Sequence, residues 1–205
     1  MAGLRERKKQ RTREDLAATA LRLFAERGFE ATTVDDIVEP IQVSRSTFFR
    51  YFPTKEHVLF PDHDERLARF REQLAGSLRE SPPLEAVRVA ALDAADAVIE
   101  GFRRDPEAYR TRQRIVSSTP SLQALALQLD LDWEDALADA LEQRLPGRGA
   151  TRRFRARLLA GSFMGTVGAF HRAWEATGFR DDPGRYRDQV MAVIEGGLAG
   201  VLQPR

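Results

Sequence analysis

The apolar residues of this chain recur at intervals of three and four, the spacing that places side chains on one face of an α-helix. The first such run comprises Leu16, Ala20, Leu23 and Phe24. Thr12 precedes the run, and Gly28 follows it at a point where a left-handed residue commonly ends a helix. The pattern predicts a first helix that begins at Thr12 and ends before Gly28.

Two shorter helices are predicted between residues 33 and 55. Thr33 is placed to cap the first of them, with Asp36 at the third helical position as in a capping box. Ser44 is placed to cap the second, which must end at Pro53 because proline lacks a backbone N–H. Gln42 lies in the turn between the two helices.

The second of these short helices has one apolar face and one polar face. Phe48 and Phe52 are four residues apart and are predicted to face the core together. The other faces carry Arg45, Ser46, Thr47, Phe49 and Arg50. Short donors and an arginine at a helix N-terminus suit the reading of base edges in the major groove, because arginine can hold guanine O6 and N7 together.

A fourth helix is predicted to begin at Thr54 and to be interrupted by Pro61 after about two turns. The helical pattern resumes through Leu67, Phe70 and Leu74, with Pro61 as the first residue of the new segment. We therefore expect a kink or a break at Pro61.

Prolines and glycines divide the remainder of the chain into further helices. The predicted boundaries fall at residues 81–83, at Pro106, at Pro120, at residues 146–150 and at residues 178–183. The pattern gives nine or ten helices and no convincing strand. We therefore predict an all-α fold.

Composition and charge narrow the possible functions. The chain has 205 residues, of which 42% are hydrophobic, so it can bury a substantial core. It has no cysteine, which excludes disulfides and thiolate chemistry, and it shows no apolar run long enough to span a membrane. We expect a cytoplasmic protein, associated with the nucleoid if it binds DNA, and no membrane partner.

The net charge of +1 does not indicate a nucleic-acid partner, but the distribution of charge does. Basic residues are concentrated at the N-terminus, where they form an arm able to contact phosphates or a minor groove. The arm comprises Arg5, Arg7, Lys8, Lys9, Arg11 and Arg13. The alternative is an ordinary solvated and frayed terminus.

The first quarter of the chain resembles the TetR family of one-component transcriptional regulators. The residues that carry the resemblance are Thr33, Val34, Ile37, Val43, Ser44, Thr47, Phe52, Pro53 and Lys55. Two positions depart from the family pattern: Gln42 replaces a glycine of the turn, and Phe49 replaces a tyrosine that bonds a phosphate. The first departure implies either that Gln42 adopts a left-handed backbone conformation at some cost or that the turn differs in shape. Pro40 also lies at the end of the first helix of the pair.

The resemblance implies a helix-turn-helix domain over residues 1–53 and a helical effector-binding and dimerisation domain over residues 54–205, joined by the fourth helix. It also implies that Lys55 contacts a DNA phosphate. The DNA-binding residues predicted from the pattern and the resemblance are Thr33, Ser44, Arg45, Ser46, Thr47, Phe49, Arg50, Tyr51 and Lys55. The expected DNA partner is a double-stranded, pseudo-palindromic operator, and we expect a repressor.

The family forms homodimers through its last two helices, which in this chain contain two groups of glycines. The predicted interface residues are Gly161, Gly165, Gly168, Gly196, Gly197 and Gly200. Glycine inside a helix costs about 1 kcal/mol relative to alanine, and close packing between helices is a common compensation. Packing of the same glycines within one protomer is the alternative.

A small-molecule effector is also implied by the family. The residues predicted to surround it are Phe102, Tyr109, Arg112, Arg114, Trp133, Phe163, Phe170 and Trp174. Each aromatic residue has an alternative role in the core, and the two arginines could simply face solvent. The amino-acid sequences of residues 44–56 and 114–120 resemble those of a TetR subgroup whose effectors are similar to acyl-CoA, including mycofactocin-type regulators. This resemblance implies an apolar effector with an anionic end.

Two other function classes compete with DNA binding. A helical enzyme is disfavoured because His57, His63 and His171 fit no catalytic motif, and we predict neither a cofactor nor a metal site. A helical protein-binding or ligand-binding module without DNA affinity stays open because of Pro40, Gln42 and Phe49. The dependence of DNA affinity on salt would distinguish these classes.

Overall fold

A computed structural model of the chain describes residues 3–202, excluding the side chains of residues 4–6 and 197–202. Over this range 81% of the chain is helical and strands are absent, which confirms the predicted all-α fold. The α-helices are α1 (Leu4–Arg27), α2 (Val34–Val38), α3 (Arg45–Tyr51), α4 (His63–Glu80), α5 (Pro83–Arg104), α6 (Pro106–Ser118), α7 (Pro120–Glu142), α8 (Gly149–Ala176) and α9 (Arg187–Leu202). Two 3-10 turns span Glu56–Leu59 and Pro183–Tyr186.

The chain forms two compact units, each assembled from separate stretches of sequence. The first unit contains Met1–His63 and Glu107–Leu127, and the second contains Asp64–Pro106 and Gln128–Arg205. Within the described range, each helix is too short or too polar to cross a membrane. The first unit is larger than the predicted domain of residues 1–53.

The core of the first unit explains its extent. The first three helices and their loops supply buried apolar side chains to this core, with Val43 half-buried against it; the buried residues include Leu16, Leu23, Phe24, Phe29, Ile37, Phe48 and Phe52. Val58 and Leu59 from the first 3-10 turn are buried in the same cluster, as are Val116 of α6 and Leu122 of α7. Apolar contacts therefore continue past Pro53, and they recruit a stretch more than fifty residues away in sequence.

The second unit has its own hydrophobic core. α4 contributes every third or fourth residue of one face, from Leu67 to Leu78, and α5 contributes a stripe of small residues that includes Ala86 and Ala90. α7, α8 and α9 complete this core with Leu137, Leu141, Leu159, Phe163, Met191 and Ile194. α4 thus buries the apolar face that the sequence pattern had indicated.

The first helix is longer than predicted. α1 begins at Leu4, so the predicted start at Thr12 is wrong by two turns. The Thr12 hydroxyl donates to the carbonyl oxygen of Lys8 within the helix and caps nothing. Residues 4–11 contain no proline or glycine and consist of good helix formers, which extends the helix through the basic arm.

The segment after α3 contains the expected break but not the expected helix before it. Residues 56–59 form a single 3-10 turn, and the Thr54 hydroxyl is bonded to the side chains of Glu56 and His57. Pro61 lies in the turn that follows, and α4 begins at His63 and not at Pro61. The break at Pro61 is confirmed, whereas the two-turn helix starting at Thr54 is wrong.

Candidate nucleic-acid interface

The N-terminus of α2 is fixed by a reciprocal capping box. The backbone N–H of Asp36 donates to the Thr33 hydroxyl at 3.2 Å, and the backbone N–H of Thr33 donates to Asp36 Oδ2 at 2.8 Å. The hydrogen bonds from the side chain and backbone of Thr33 lower the pKa of the Asp36 carboxyl. The predicted cap is therefore present, and it sets where α2 begins.

The turn between α2 and α3 is closed by a residue with a left-handed backbone. Gln42 has φ of 55°, and its N–H donates to the Glu39 carbonyl at 3.1 Å. The N–H of Val43 reaches back five residues to the Val38 carbonyl at 3.2 Å. This pair of bonds is a Schellman motif, in which the left-handed position is usually glycine. Of the two outcomes left open for this turn, the structure shows the left-handed conformation of Gln42.

Ser44 orders the start of α3. Its hydroxyl accepts the backbone N–H of Thr47 at 3.1 Å and lies 2.8 Å from the Ser46 hydroxyl. Phe48 and Phe52, on the opposite face, are 0% and 2% exposed. The cap and the buried rings together fix which side chains of α3 face outward.

The outward face of α3 carries the predicted DNA-reading side chains. Arg45, Ser46, Phe49 and Arg50 are exposed, and Thr47 and Tyr51 are half-buried. Thr33 and Ser44 are exposed at the starts of α2 and α3. The described geometry therefore brings eight of the nine predicted DNA-binding residues onto or beside one helix pair, and Lys55 is the exception.

Lys55 makes contacts that the sequence did not predict. Its Nζ donates to the carbonyl oxygens of Phe29 and Thr32 at 2.9 and 3.0 Å, and it lies over the Phe29 ring. The ammonium group thus ties together the loop between α1 and α2. A phosphate contact by Lys55 stays a prediction, and the structure gives this residue a second role within the protein.

The basic arm forms part of α1. Arg7, Lys8, Lys9 and Arg11 are exposed, and Arg5 lies outside the residues whose side chains are described. Arg13 is half-buried, with its guanidinium 5.9 Å from the centre of the Phe52 ring. The arm is therefore a helical run of positive charge, and its last member packs against the end of α3.

Three of the predicted effector-binding residues pack against one another in the second unit. Trp174 lies 5.4 Å from Phe102 and 5.8 Å from Phe170, measured between ring centres, and it is 2% exposed. Phe179, which follows α8, packs on the same indole at 5.1 Å. Phe102 and Trp174 are buried and Phe170 is half-buried, so these residues pack as the sequence alternative of a core role describes.

The remaining predicted effector residues belong to both units. Trp133 lines a small cleft together with Arg66, Arg69, Phe70, Asp93, Ala94 and Ala97, and the cleft has room for about one water molecule. Phe163 is buried in the second core. Tyr109, Arg112 and Arg114 belong to the first unit. The predicted set is thus divided between two units.

The glycines of α8 and α9 differ in their surroundings. A β-carbon at Gly161 would lie 3.6 Å from Glu134, and one at Gly168 would lie 3.2 Å from Arg172. At Gly165 and Gly196 a β-carbon would meet no atom of the described residues within 4 Å. Gly197 and Gly200 lie outside the residues whose surroundings are described. Contacts among the described residues therefore do not account for Gly165 or Gly196.

Comparison with known families decides the identity of the helix pair. Residues 16–60 match the family model of bacterial regulatory proteins of the tetR family, and residues 81–199 match that of the MftR C-terminal domain. The chain belongs to the TetR family. The first match covers α2, the turn and α3, so this TetR-family chain is a DNA-binding transcriptional regulator with a helix-turn-helix.

Individual TetR-family proteins are similar over most of the chain. TcmR of Streptomyces glaucescens, named as an HTH-type transcriptional regulator, is 32% identical over 180 residues, covering 84% of this chain and 76% of TcmR. MftR of Mycobacterium tuberculosis, also named as a transcriptional regulator, is 28% identical over 172 residues, covering 82% of each chain. These relatives are named as regulators and not as enzymes.

A solved structure shares the fold along nearly the whole chain. FadR of Thermus thermophilus, a TetR-family transcriptional repressor crystallised with lauroyl-CoA, is 26% identical and superposes with a TM-score of 0.52. The superposition covers 94% of this chain and 96% of FadR. The similarity therefore extends from the helix-turn-helix through the C-terminal helices.

Proposed function

We propose that this TetR-family regulator is a homodimeric repressor, that it reads a pseudo-palindromic operator through α3, and that an apolar effector with an anionic end releases it. The observation that carries the proposal is the outward face of α3, where an arginine and hydroxyl side chains surround a capped helix N-terminus. The protein then acts in the cytoplasm at the nucleoid as a regulator rather than an enzyme.

Base reading is assigned to the N-terminal part of α3. Arg45 is exposed and suits guanine, while the basic residues along α1 suit phosphates on either side of the groove. Phosphate contacts fix the register of the protein but carry no sequence information directly. In this proposal α1 contributes mainly to DNA affinity, and α3 contributes mainly to sequence specificity.

Electrophoretic and anisotropy titrations with duplexes selected from a random pool test this assignment. Affinity should fall steeply as salt rises, and a selected duplex should outcompete random DNA. Arg45→Ala should relax the preference at one base position by about 1–3 kcal/mol. Equal losses on selected and random DNA for Arg45→Ala would remove its role in base reading.

Dimerisation is assigned to the exposed faces of α8 and α9. Phe154 and Leu158 are exposed by 68% and 52% on α8, and Gly165 continues the same face. Val193 is 61% exposed on α9, next to the face that carries Gly196. Large apolar side chains beside glycines favour the close approach of a second copy, as in an isologous four-helix bundle.

The effector class is assigned from the relative that binds lauroyl-CoA and from the cleft beside Trp133. Phe70 and Trp133 line this cleft together with two arginines, Arg66 and Arg69, and one aspartate, Asp93, so its basic side chains outnumber the acidic one. That combination suits a ligand with an apolar chain and an anionic end. Because the cleft holds only about one water molecule, effector binding must stabilise a rearranged second unit.

Titration of lauroyl-CoA into the protein bound to its selected duplex tests the effector class. The ligand should lower the operator affinity, with free CoA and laurate as the matched controls for its two halves. An effector shifts the equilibrium only by its differential affinity for the two states. Unchanged operator affinity at saturating lauroyl-CoA would reject acyl-CoA as the effector class without touching the DNA-binding assignment.

A further inference from the structure

An arginine and an aromatic ring lie side by side on the outward face of α3. The guanidinium carbon of Arg45 is 6.0 Å from the centre of the Phe49 ring, one helical turn away. Phe49 is 44% exposed, and its ring packs against buried Phe48 in a T-shaped contact with 5.4 Å between the ring centres. The ring is thus held from below by the core and presents its outer edge to solvent.

The other side of Arg45 is held by α2. Asp35 Oδ2 accepts a hydrogen bond from Arg45 Nη1 at 2.9 Å, and both side chains are more than half exposed. Exposed ion pairs contribute little to folding stability. This pair instead fixes the direction of the guanidinium, and it leaves the Nε and Nη2 hydrogens for a second partner.

The ion pair with Arg45 also explains how the Asp35 carboxylate can lie near the proposed DNA-facing surface. An isolated aspartate there would repel phosphates, whereas an aspartate bonded to Arg45 is neutralised by it. Phe49 can form no hydrogen bond through its side chain. In the major groove, a ring of this kind can recognise the 5-methyl group of thymine by apolar contact.

We propose that Asp35, Arg45 and Phe49 form a reading unit for a guanine and a nearby thymine. Arg45 holds guanine O6 and N7, Asp35 positions Arg45, and Phe49 contacts the thymine methyl. Successive base pairs are spaced about 3.4 Å along the axis, so the separation of 6.0 Å places the two bases one or two steps apart. This unit rests on the proposed function of α3.

Duplexes selected from a random pool by the wild-type protein provide the probe. They should share a guanine with a thymine one or two positions away. Replacing that thymine by deoxyuridine removes only the methyl group and should weaken wild-type binding about fourfold, the factor expected for one buried methyl. Phe49→Ala should bind the two duplexes equally, and Phe49→Leu should retain part of the difference.

The role of Asp35 is tested by specificity and not by affinity alone. Asp35→Ala should reduce the ratio of affinities for guanine and adenine at the read position, and Asp35→Asn should largely preserve it because the amide oxygen still accepts from Arg45. Weakened folding alone would not change this ratio, and thermal melting of both variants checks folding. Equal ratios for wild type and Asp35→Ala would overturn the positioning role.

The outcomes separate this inference from the proposed function. A selection that enriches no sequence would overturn the reading of DNA by α3 altogether. An enriched sequence that wild-type protein binds equally with thymine and deoxyuridine would overturn the methyl contact alone. The same deoxyuridine effect in wild type and Phe49→Ala would also overturn it, because the discrimination would then come from another residue.

Discussion

The Nζ atom of Lys55 lies 4.1 Å from the centre of the Phe29 ring and donates a hydrogen bond of 2.9 Å to the Phe29 carbonyl oxygen. The two residues are 26 positions apart. The same ammonium donates to the Thr32 carbonyl, so a single side chain satisfies two acceptors of the loop that precedes α2. The position of the helix-turn-helix relative to α1 within this unit therefore depends in part on one lysine.

Lys55→Met should destabilise the first unit by about 2 kcal/mol, because two partly buried carbonyls lose a charged donor while the apolar stem is retained. Urea unfolding measures the loss, with exposed Lys8→Met as the matched control that should leave stability unchanged. If Lys55 also contacts a phosphate, the salt slope of DNA binding should fall by about one. Unchanged stability in Lys55→Met would show that the loop contacts contribute nothing.

Gln42→Gly should stabilise the protein by roughly 0.5–1 kcal/mol. The left-handed conformation strains a residue with a β-carbon, and glycine removes that strain at the cost of a more flexible unfolded chain. Gln42→Val, the control with the opposite expected effect, should destabilise the protein, because a β-branched residue fits the left-handed conformation poorly. Urea midpoints of the three proteins give the order, and a less stable glycine variant would contradict the prediction.

Gly165→Leu should weaken dimerisation without unfolding the protomer. A β-carbon at Gly165 meets nothing within 4 Å in the protomer, so a larger side chain has room there unless a second copy occupies it. Gly101→Leu is the matched control, since Gly101 is also an exposed helical glycine with nothing within 4 Å. Sedimentation at several protein concentrations measures the dimer. Equal association of both variants would contradict a close approach at Gly165.

Stability should fall as the pH drops below about 6.5, in part because of His171. Burial among aromatic rings lowers the pKa of His171 from its ordinary value of 6.5, and the Glu175 charge opposes this shift. His171 binds a proton more readily in the unfolded chain than in the folded chain, so its protonation favours unfolding as the pH falls below about 6.5. Neutral His171 therefore contributes fully to folding stability above its unfolded-state pKa. This contribution declines as the pH falls toward its folded-state pKa.

His171→Phe should therefore lose less stability than wild type between about pH 7.5 and about pH 5. Glu175→Gln should lose more, because it removes the charge that favours protonated His171. Denaturant titrations at the two pH values measure both differences. Identical pH dependence in wild type and His171→Phe would assign the acid sensitivity to other groups.

The sequence predicted the helix-turn-helix well because the interactions that define it are local. The Thr33 box and the Ser44 cap join residues three positions apart, and Phe48 and Phe52 face the core because four positions complete about one helical turn. The start of α1 was predicted wrongly for a related reason. Thr12 resembles a cap, but the preceding residues are good helix formers, and the helix continues through them.

Contacts between distant segments were not predictable from the pattern. Val116 and Leu122 pack in the core that contains Leu16 and Phe48. The sequence pattern shows that each of these residues is apolar, but not which helices it packs against. The predicted effector residues were divided between two units for the same reason, since periodicity shows that a side chain faces inward but not which helix it meets.

Residue types and short spacings were enough to predict the all-α class and the capped helix α3. They also placed Arg45 and Phe49 away from the buried face of α3. Tertiary structure alone decided that Lys55 closes the loop after α1, that Asp35 holds Arg45, and that Gly165 has open space beside it. Caps and periodicity act within one helical turn, whereas these contacts depend on how separate helices pack.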